Sequence, residues 1–372
     1  MKHLALLFLV TIPFFSTAQL TTETISIGGQ TRSYQLYVPT GFNATTETPR
    51  MIFILHGLGG TSASMVSAGF NFVADTARVI VVYPQGALNS FGQASWNNGT
   101  LLSSTVNDEA FFNALMDRGL SEFNVNPAKI YVTGFSMGSI MSHHLACALN
   151  NRIAAIGTMA GTMSTSDIST CNPTYKTPVI HLHGTVDGTV PYAGTAIPSL
   201  SLVAETMNFW RNVHGCDATA DSTQLPNIAA DNITVDRFVY DNCNPIGSVE
   251  LWRLNNADHI YLYQPVNDIT EMFEIWKFFN KWEHSNPTTL SLSKKDYQDF
   301  AIYPNPANEF ITIESNFEGM NYSIVNAQGQ SVLSGKISGK SIQLNCSDLK
   351  SGIYFVNVFS DEKSFVEKLI IK

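Results

Sequence analysis

The stretch Ile130-Tyr131-Val132-Thr133-Gly134-Phe135-Ser136-Met137-Gly138 decides the fold. It begins as an apolar, β-rich run and breaks into Gly-x-Ser-x-Gly, the strained turn that presents a serine hydroxyl as a nucleophile. Residues 139–150 are predicted to be helical, so backbone N–H groups and a partial positive charge would face Ser136. With 25 glycines in 372 residues, the bare pattern arises by chance in roughly one or two chains in ten. The flanking strand and helix make chance a poorer explanation.

Composition excludes several classes of partner. The chain is 44% hydrophobic, which is enough for one large domain and one small one. Its formal net charge is −9 without a basic cluster, so neither nucleic acid nor an anionic membrane surface is an expected partner. Neutral or hydrophobic substrates fit better.

The first 19 residues have the three regions of a secretory signal peptide. Met1-Lys2-His3 precedes an apolar run over 4–15 and the small residues Ser16-Thr17-Ala18, with cleavage expected near Ala18 or Gln19. A membrane anchor is the weaker reading because the run falls short of the ~20 residues that a bilayer span requires. The mature protein is therefore expected outside the cytoplasm, without an integral membrane segment.

Export makes disulfides possible. Sequence proximity favours Cys147 with Cys171 and Cys216 with Cys243, while buried free thiols are the alternative. Cys346 is left over and is expected to pack as a small apolar residue. Because the cysteines and histidines lack zinc-ligand spacing, no metal site is predicted.

Apolar runs alternate with helical patterns along the first three quarters of the chain. The runs cover 51–55, 79–82, 130–132, 179–182 and 249–254, and the helical patterns cover 111–123, 202–213 and 271–282. This alternation predicts an α/β fold with a doubly wound, mostly parallel sheet. Ligands bind such a sheet beyond the carboxyl ends of its strands, where His56, Ser136, Asp187 and His259 are expected to cluster.

A second domain is expected at the carboxyl end. We predict a catalytic domain over 20–283, a polar linker over 284–299, and a small all-β sandwich over 300–372, where short alternating runs are separated by turn residues. The last region contains no histidine, which argues against chemistry there.

A serine nucleophile requires a base, and in this fold the chain order is serine, acid, histidine. The histidines that follow Ser136 at a sufficient distance along the chain are His181, His183, His214, His259 and His284. The first two lie on a predicted strand as core or supporting residues, His214 lies at a helix end, and His284 lies in the linker. His259 follows the run at 249–254 in a loop and is the predicted general base.

Asp187 is the predicted orienting acid. It stands in His183-Gly184-Thr185-Val186-Asp187, immediately after the run at 179–182, where that carboxylate belongs. The competing carboxylates are Asp167, Asp217, Asp236 and Asp258, the last of which adjoins His259 and would reach its ring awkwardly.

The glycine-rich loop His56-Gly57-Leu58-Gly59-Gly60 is predicted to stabilise the oxyanion. Glycines at this position let backbone N–H groups approach the developing charge, and the expected donors are the N–H groups of Leu58 and Met137. The alternative is a flexible turn without a catalytic role.

These segments carry a family resemblance. Together with Val81-Val82-Tyr83-Pro84-Gln85-Gly86, Ser95-Trp96-Asn97 and the run 106–111, they resemble the feruloyl esterase and polyhydroxybutyrate depolymerase group of α/β-hydrolases over residues 31–282. The resemblance implies Ser136 as nucleophile, Asp187 as acid and His259 as base. It also assigns Trp96, with His56, to the substrate cleft. For Trp96, a place in the hydrophobic core is the alternative. The family has glycines before this histidine and Trp-Pro after it, whereas this chain has Asn256-Ala257-Asp258-His259-Ile260-Tyr261. The resemblance therefore does not predict which residues form the rim of the substrate cleft.

The carboxyl-terminal region resembles a type IX secretion sorting domain of type A. The resemblance rests on Tyr303-Pro304-Asn305-Pro306-Ala307, Gly352-Ile353-Tyr354-Phe355-Val356 and Lys368-Leu369-Ile370-Ile371-Lys372. It implies passage through the periplasm and across the outer membrane by the type IX machinery, with an extracellular or surface-attached product. A carbohydrate-binding module is the alternative.

The sequence as a whole predicts a secreted serine carboxylic-ester hydrolase that needs no cofactor. Its expected substrates are feruloyl or acetyl esters of plant polysaccharide, or an aliphatic polyester. A secreted peptidase on the same fold and a catalytically inactive surface binding protein are the alternatives.

Overall fold

The structure, a computed structural model, describes residues 19–67, 69–240, 242–245, 248–288, 300–315, 319–326, 330–360 and 364–372. The predicted signal peptide lies outside these ranges except for Gln19, as does most of the predicted linker. The chain divides into two compact units, residues 1–289 and 290–372. Among the described residues, no helix is both long and apolar enough to cross a bilayer.

The larger unit alternates strands and helices. Its strands are β1 (Gln19–Ile27), β2 (Gln30–Val38), β3 (Arg50–Leu55), β4 (Val79–Pro84), β5 (Ala87–Leu88), β6 (Ala94–Ser95), β7 (Ile130–Phe135), β8 (Ala155–Met159), β9 (Val179–Gly184), β10 (Ala220–Gln224), β11 (Thr234–Tyr240) and β12 (Val249–Asn255). Its helices are α1 (Ser62–Val66), α2 (Phe70–Ala77), α3 (Asp108–Phe123), α4 (Met137–Ala148), α5 (Thr165–Thr170), α6 (Val203–His214) and α7 (Glu271–Phe279).

Ten of these strands form one mixed sheet in the order β1-β2-β4-β3-β7-β8-β9-β12-β11-β10. The central strands from β4 to β12 pair in parallel, whereas β1, β2, β10 and β11 add antiparallel edges. Strands β3, β4 and β7 read as continuous apolar runs because helices cover both faces of a parallel sheet. The predicted α/β class is confirmed.

Two hydrophobic cores lie on opposite faces of this sheet. In β9, Val179 packs in the core that contains Met141 of α4 and Trp210 of α6. Its neighbour Ile180 packs in the core that contains Ile275 of α7. Successive strand residues point to opposite faces, so the alternation along β9 fixes which side chains accompany α4.

Cysteines join segments of the larger unit. The structure pairs Cys147 with Cys171 and Cys216 with Cys243, and it leaves Cys346 as a buried free thiol. Each bond closes a loop of a few tens of residues, a length for which chain-entropy models give about 3 kcal/mol.

Residues 284–288 pack on the larger unit, contrary to the expectation of a linker beginning at His284. The His284 side chain is buried, and its Nε2 lies 3.1 Å from the carbonyl oxygen of Asn150. Its ring stacks on Tyr175 with centroids 3.6 Å apart. The polar sequence concealed these contacts because histidine satisfies backbone carbonyls while it buries its ring.

The smaller unit consists of two packed antiparallel sheets. Its strands are β13 (Phe300–Tyr303), β14 (Phe310–Ser315), β15 (Asn321–Asn326), β16 (Ser331–Lys336), β17 (Ser341–Asn345), β18 (Gly352–Phe359) and β19 (Ser364–Ile371). Strands β13-β14-β17 form one sheet and β16-β15-β18-β19 the other. Alternate residues of both sheets, such as Ile313 and Val356, share one core.

Candidate active site

Ser136 lies in a strained turn between β7 and α4. Its backbone has φ 56° and ψ −120°, a conformation that costs a non-glycine residue about 1–3 kcal/mol. The Ser136 N–H donates to the carbonyl oxygen of Met159 at 2.8 Å, which anchors the turn to the neighbouring strand β8. Strain retained in this way presents the hydroxyl above the sheet.

The glycines of the turn are required by close packing. A Cβ atom on Gly134 would lie 2.4 Å from the carbonyl carbon of Gly138, and one on Gly138 would lie 2.3 Å from the Leu55 oxygen. Gly161, which the sequence analysis did not single out, meets the same limit, since its Cβ would lie 2.2 Å from the Ser136 oxygen. A glycine shortly after β8 was the only sequence signal for that position.

Three strands bring a serine, an imidazole and a carboxylate together. Ser136 follows β7, Asp187 follows β9 and His259 follows β12, and these parallel strands all end at one edge of the sheet. The Ser136 Oγ lies 2.9 Å from His259 Nε2. On the other side of the ring, Nδ1 lies 2.8 Å from Asp187 Oδ2.

These contacts determine the tautomer of His259. An ionised carboxylate only accepts hydrogen bonds, so Nδ1 carries the proton and Nε2 is left as an acceptor for the Ser136 hydroxyl. The His259 side chain is only 16% exposed and that of Asp187 is fully buried. A neutral imidazole in this orientation can remove the serine proton.

Asp187 is held as a carboxylate. Its Oδ1 accepts the backbone N–H groups of Thr189 at 2.8 Å and Val190 at 2.7 Å. Burial by itself would raise the pKa of Asp187, but hydrogen bonds from His183, His259 and Val190 outweigh it and hold the pKa well below its usual range. Asp187 therefore stays ionised at neutral pH.

The competing acid Asp258 accepts hydrogen bonds from backbone groups. Its Oδ1 accepts the Gly188 N–H at 2.9 Å and the backbone N–H of His259 at 2.7 Å. These bonds brace the two loops that carry Asp187 and His259. Asp258 therefore supports the backbone of the site, and the carboxylate that contacts the imidazole is Asp187.

The glycine-rich loop after β3 lies against Ser136. A Cβ atom on Gly57 would lie 3.2 Å from the Ser136 Cβ, so the loop backbone approaches the serine closely. Met137 is the first residue of α4 and its N–H has no intrahelical acceptor. Leu58, the other predicted oxyanion donor, lies on this loop. The roles of Leu58 and Met137 as donors to the oxyanion stay predictions.

Both units of the chain resemble known proteins. Residues 43–199 match the phospholipase/carboxylesterase family model. The larger unit has the α/β-hydrolase fold. Residues 301–372 match the secretion system C-terminal sorting domain. The smaller unit is a secretion sorting domain, which points to an extracellular or cell-surface location.

Several curated relatives are esterases or depolymerases. The chain is 24% identical over 266 residues to a bifunctional acetylxylan esterase/xylanase from Neocallimastix patriciarum, covering 71% of this chain and 35% of that protein. It is 29% identical to feruloyl esterase B from Piromyces equi, with 59% and 41% covered. It is 25% identical to poly(3-hydroxyalkanoate) depolymerase C from Paucimonas lemoignei, with 64% and 61% covered. The chain thus spans less than two thirds of each of these relatives.

A solved structure shares the fold. The acetyl xylan esterase from Aspergillus awamori superimposes with a TM-score of 0.51 at 16% identity, covering 70% of this chain and 99% of that one. Identity this low supports the shared hydrolase architecture and nothing finer.

His56 and Trp96 do not line the cleft as expected, and their assignment is revised. Both side chains are fully buried in the hydrolase unit. The Trp96 Nε1 donates to the His56 carbonyl oxygen at 2.9 Å, and His56 Nε2 accepts the Gly86 N–H at 2.9 Å. Their rings also pack together, 4.8 Å between centroids. They support the base of the glycine-rich loop, so the core reading of Trp96 holds.

An apolar pocket lies near His259. Its volume is about 530 Å³, within the range of small-molecule sites. It is lined by Ser64, Met65, Ser67, Phe135, Tyr261, Tyr263, Gln264, Thr270 and Phe273. Phe135 both lines the pocket and contacts the His259 ring, with 4.9 Å between centroids. Phe135 therefore links the pocket to the candidate site.

The described residues contain no group of three or more histidine, cysteine, aspartate or glutamate side chains that could hold a metal ion. The chemistry that this arrangement can perform is nucleophilic attack by an activated serine.

Proposed function

We propose that this protein is an exported serine carboxylic-ester hydrolase that works through a covalent acyl-enzyme. The observation that carries the proposal is the continuous contact from Ser136 Oγ through His259 to Asp187, at 2.9 and 2.8 Å. This arrangement matches the geometric requirement for nucleophile, base and orienting acid.

The first half-reaction transfers the acyl group to the enzyme. Ser136 Oγ attacks the ester carbonyl carbon while His259 Nε2 takes the hydroxyl proton, and Asp187 stabilises the imidazolium that forms. The N–H groups of Leu58 and Met137 would hold the oxyanion. When the intermediate collapses, the ester C–O bond breaks and His259 donates the proton to the leaving alcohol.

The second half-reaction releases the acid. Water enters the position of the alcohol, His259 removes one of its protons, and the hydroxide attacks the acyl carbon. Collapse then expels Ser136 Oγ, which recovers its proton from His259. The balance is one ester and one water converted to one acid and one alcohol.

We infer that the substrate is a hydroxycinnamoyl ester of plant polysaccharide, with acetyl esters and an aliphatic polyester as the alternatives. The pocket beside His259 supports an aromatic acyl group because Tyr261, Tyr263 and Phe273 offer ring faces. Ser64 and Gln264 offer polar contacts to a phenolic hydroxyl. An acetyl group would leave most of the pocket filled with water.

A substrate panel tests this proposal. Methyl ferulate, acetylated xylan, polyhydroxybutyrate film and a chromogenic peptide are compared with the full-length protein, and methyl ferulate is expected to give the highest kcat/KM. Tyr263→Ala should raise KM for methyl ferulate about 5-fold or more and leave p-nitrophenyl acetate unchanged, since only the former fills the pocket. The control Phe72→Ala removes an aromatic ring that is 70% exposed on α2 and is not one of the described pocket residues.

If Tyr263→Ala weakened the hydrolysis of methyl ferulate and p-nitrophenyl acetate equally, the pocket would not be the site of the acyl group. Preference for xylan acetyl groups or for the film would replace the hydroxycinnamoyl substrate by that alternative. Turnover of the peptide without ester hydrolysis would favour the peptidase, and turnover of none would favour an inactive binding protein.

We propose that the carboxyl-terminal domain directs export by the type IX route. Deleting residues 300–372 is expected to leave the protein in the periplasm of a host that possesses this machinery, because the sorting signal is lost. Immunoblots of periplasm, outer membrane and medium measure the distribution, and full-length Ser136→Ala, which keeps residues 300–372, serves as the control. Export of the truncated chain at the normal level would contradict the assignment.

A further inference from the structure

A row of buried polar side chains stands behind Asp187. His181 and His183 lie two residues apart on β9, so both are on the face that carries α4. Thr158 lies beside His181 on the neighbouring strand β8. All three are fully buried. The reaction proposed above assigns them no role, yet buried polar groups are costly unless each finds a partner.

The contacts determine the direction of every hydrogen bond in this row. His183 Nε2 lies 2.8 Å from the Val190 carbonyl oxygen and 3.4 Å from Asp187 Oδ2. Both of these atoms are acceptors, so Nε2 of His183 must carry a proton. Its Nδ1 is then an acceptor, and His181 Nε2–H donates to it at 3.1 Å.

The same reasoning extends to Thr158. With Nε2 protonated, His181 accepts at Nδ1, so the single proton of the Thr158 hydroxyl goes to this nitrogen at 2.8 Å in preference to the Ile180 carbonyl oxygen at 3.2 Å. Burial lowers the pKa of His181 well below its ordinary value, which keeps the imidazole neutral. One arrangement of protons therefore satisfies the row from Thr158 to the turn that holds Asp187.

We propose that His183 is a positioning residue for the hydrolase reaction, and that Thr158 and His181 fix its ring so that it holds the 187–190 turn and keeps Asp187 Oδ2 against His259. This inference rests on the proposed function. Val190 is the point of attachment, since its N–H donates to Asp187 Oδ1 while its carbonyl oxygen accepts from His183. Val190 is thereby held on both sides.

A histidine is needed here for a specific reason. An apolar residue at position 183 would leave the Val190 carbonyl, on a residue that is only 5% exposed, without this donor. The turn could then shift to reach another donor. A displacement near 1 Å at Asp187 would misorient the general base, and errors of that size cost about 10²-fold in rate.

The test is His183→Leu in the full-length protein, assayed on p-nitrophenyl acetate with the melting temperature recorded. We expect kcat to fall about 10- to 100-fold with KM within two-fold. His183→Gln, whose amide N–H can occupy the Nε2 position, should recover most of the loss. The matched control is His214→Leu, because His214 is also buried and bonded to a carbonyl, that of Thr177 at 2.9 Å. It should keep the original kcat.

A double-mutant cycle separates positioning from general destabilisation. If His183 acts through Asp187, His183→Leu should not lower kcat further in an Asp187→Asn background. An independent structural effect would lower kcat by the same factor in both backgrounds. Should His183→Leu fail to melt cooperatively, the near-isosteric Thr158→Val replaces it, with kcat expected to fall about 3-fold.

The inference is overturned if kcat is unchanged in His183→Leu, if Gln does not recover it, or if the two losses multiply. These outcomes leave the proposed function intact as long as Ser136→Ala abolishes turnover. Retained turnover in Ser136→Ala would instead overturn the proposed function itself.

Discussion

Ser136→Ala is expected to lower kcat for p-nitrophenyl acetate by roughly 10⁴-fold or more, because it removes the atom that forms the acyl-enzyme. His259 cannot compensate, since Ser136 Oγ is the group that its Nε2 contacts. The melting temperature should stay close to that of the original protein, because one hydroxyl is lost at a partly exposed position. The measurement is release of p-nitrophenol, with thermal unfolding recorded in parallel.

Ser142→Ala is the matched control for this change. Ser142 lies on α4 six residues after Ser136, and its buried Oγ donates to the Gly138 carbonyl at 2.8 Å. Its replacement removes a serine hydroxyl from the helix that follows Ser136 without touching the reacting atoms, so kcat should stay within about two-fold. Comparable turnover by Ser136→Ala and the original protein would contradict a serine mechanism at this site.

Asp187→Asn should lower kcat by about 10⁴-fold with a small change in KM, since an amide can hold the imidazole in the wrong tautomer. The amide introduced by this substitution would present an N–H where the Nδ1 proton of His259 now finds an acceptor 2.8 Å away. Nε2 would then carry the proton and could no longer accept from the serine hydroxyl. Steady-state kinetics at pH 7 measures the effect.

Asp258→Asn decides between the two neighbouring carboxylates. It keeps an Oδ1 acceptor for the Gly188 and His259 N–H groups, so its kcat should fall by no more than a few-fold. A larger loss in Asp258→Asn than in Asp187→Asn would exchange the roles that we assign to the two residues.

The sequence was informative wherever local pattern and chain order coincide. The runs that became β3, β4 and β7 are apolar on both faces, as a buried parallel strand requires, and those that became β9 and β12 are also largely buried although they carry polar residues. Each proposed functional residue follows one of these runs, so the edge of the sheet at which they meet could be predicted without knowledge of the side-chain contacts.

Strand β8 was not predicted from sequence, although it lies between β7 and β9. Its sequence, Ala155-Ile156-Gly157-Thr158-Met159, contains two small residues with low strand propensity. Tertiary packing explains them, because a Cβ on Gly157 would lie 2.4 Å from Ile275 of α7. A propensity scale cannot register a helix that arrives more than a hundred residues later.

Side-chain direction also could not be read from the sequence. Trp96 stands in an irregular segment without periodicity, so nothing in its neighbours revealed that its indole points beneath the glycine-rich loop. His183 could be classified as a core or supporting residue from its strand, whereas its contact with the Asp187 turn requires coordinates. Both cases depend on long-range contacts, which local patterns do not encode.

The most direct test of the central claim is covalent labelling of the serine. Incubating the full-length protein with diisopropyl fluorophosphate should abolish ester turnover and add one diisopropylphosphoryl group, because the activated hydroxyl displaces fluoride from phosphorus. Peptide mass mapping should place the adduct on Ser136, and Ser136→Ala should remain unlabelled. Complete inactivation with the adduct on another residue, or full turnover by a protein labelled at Ser136, would contradict the account.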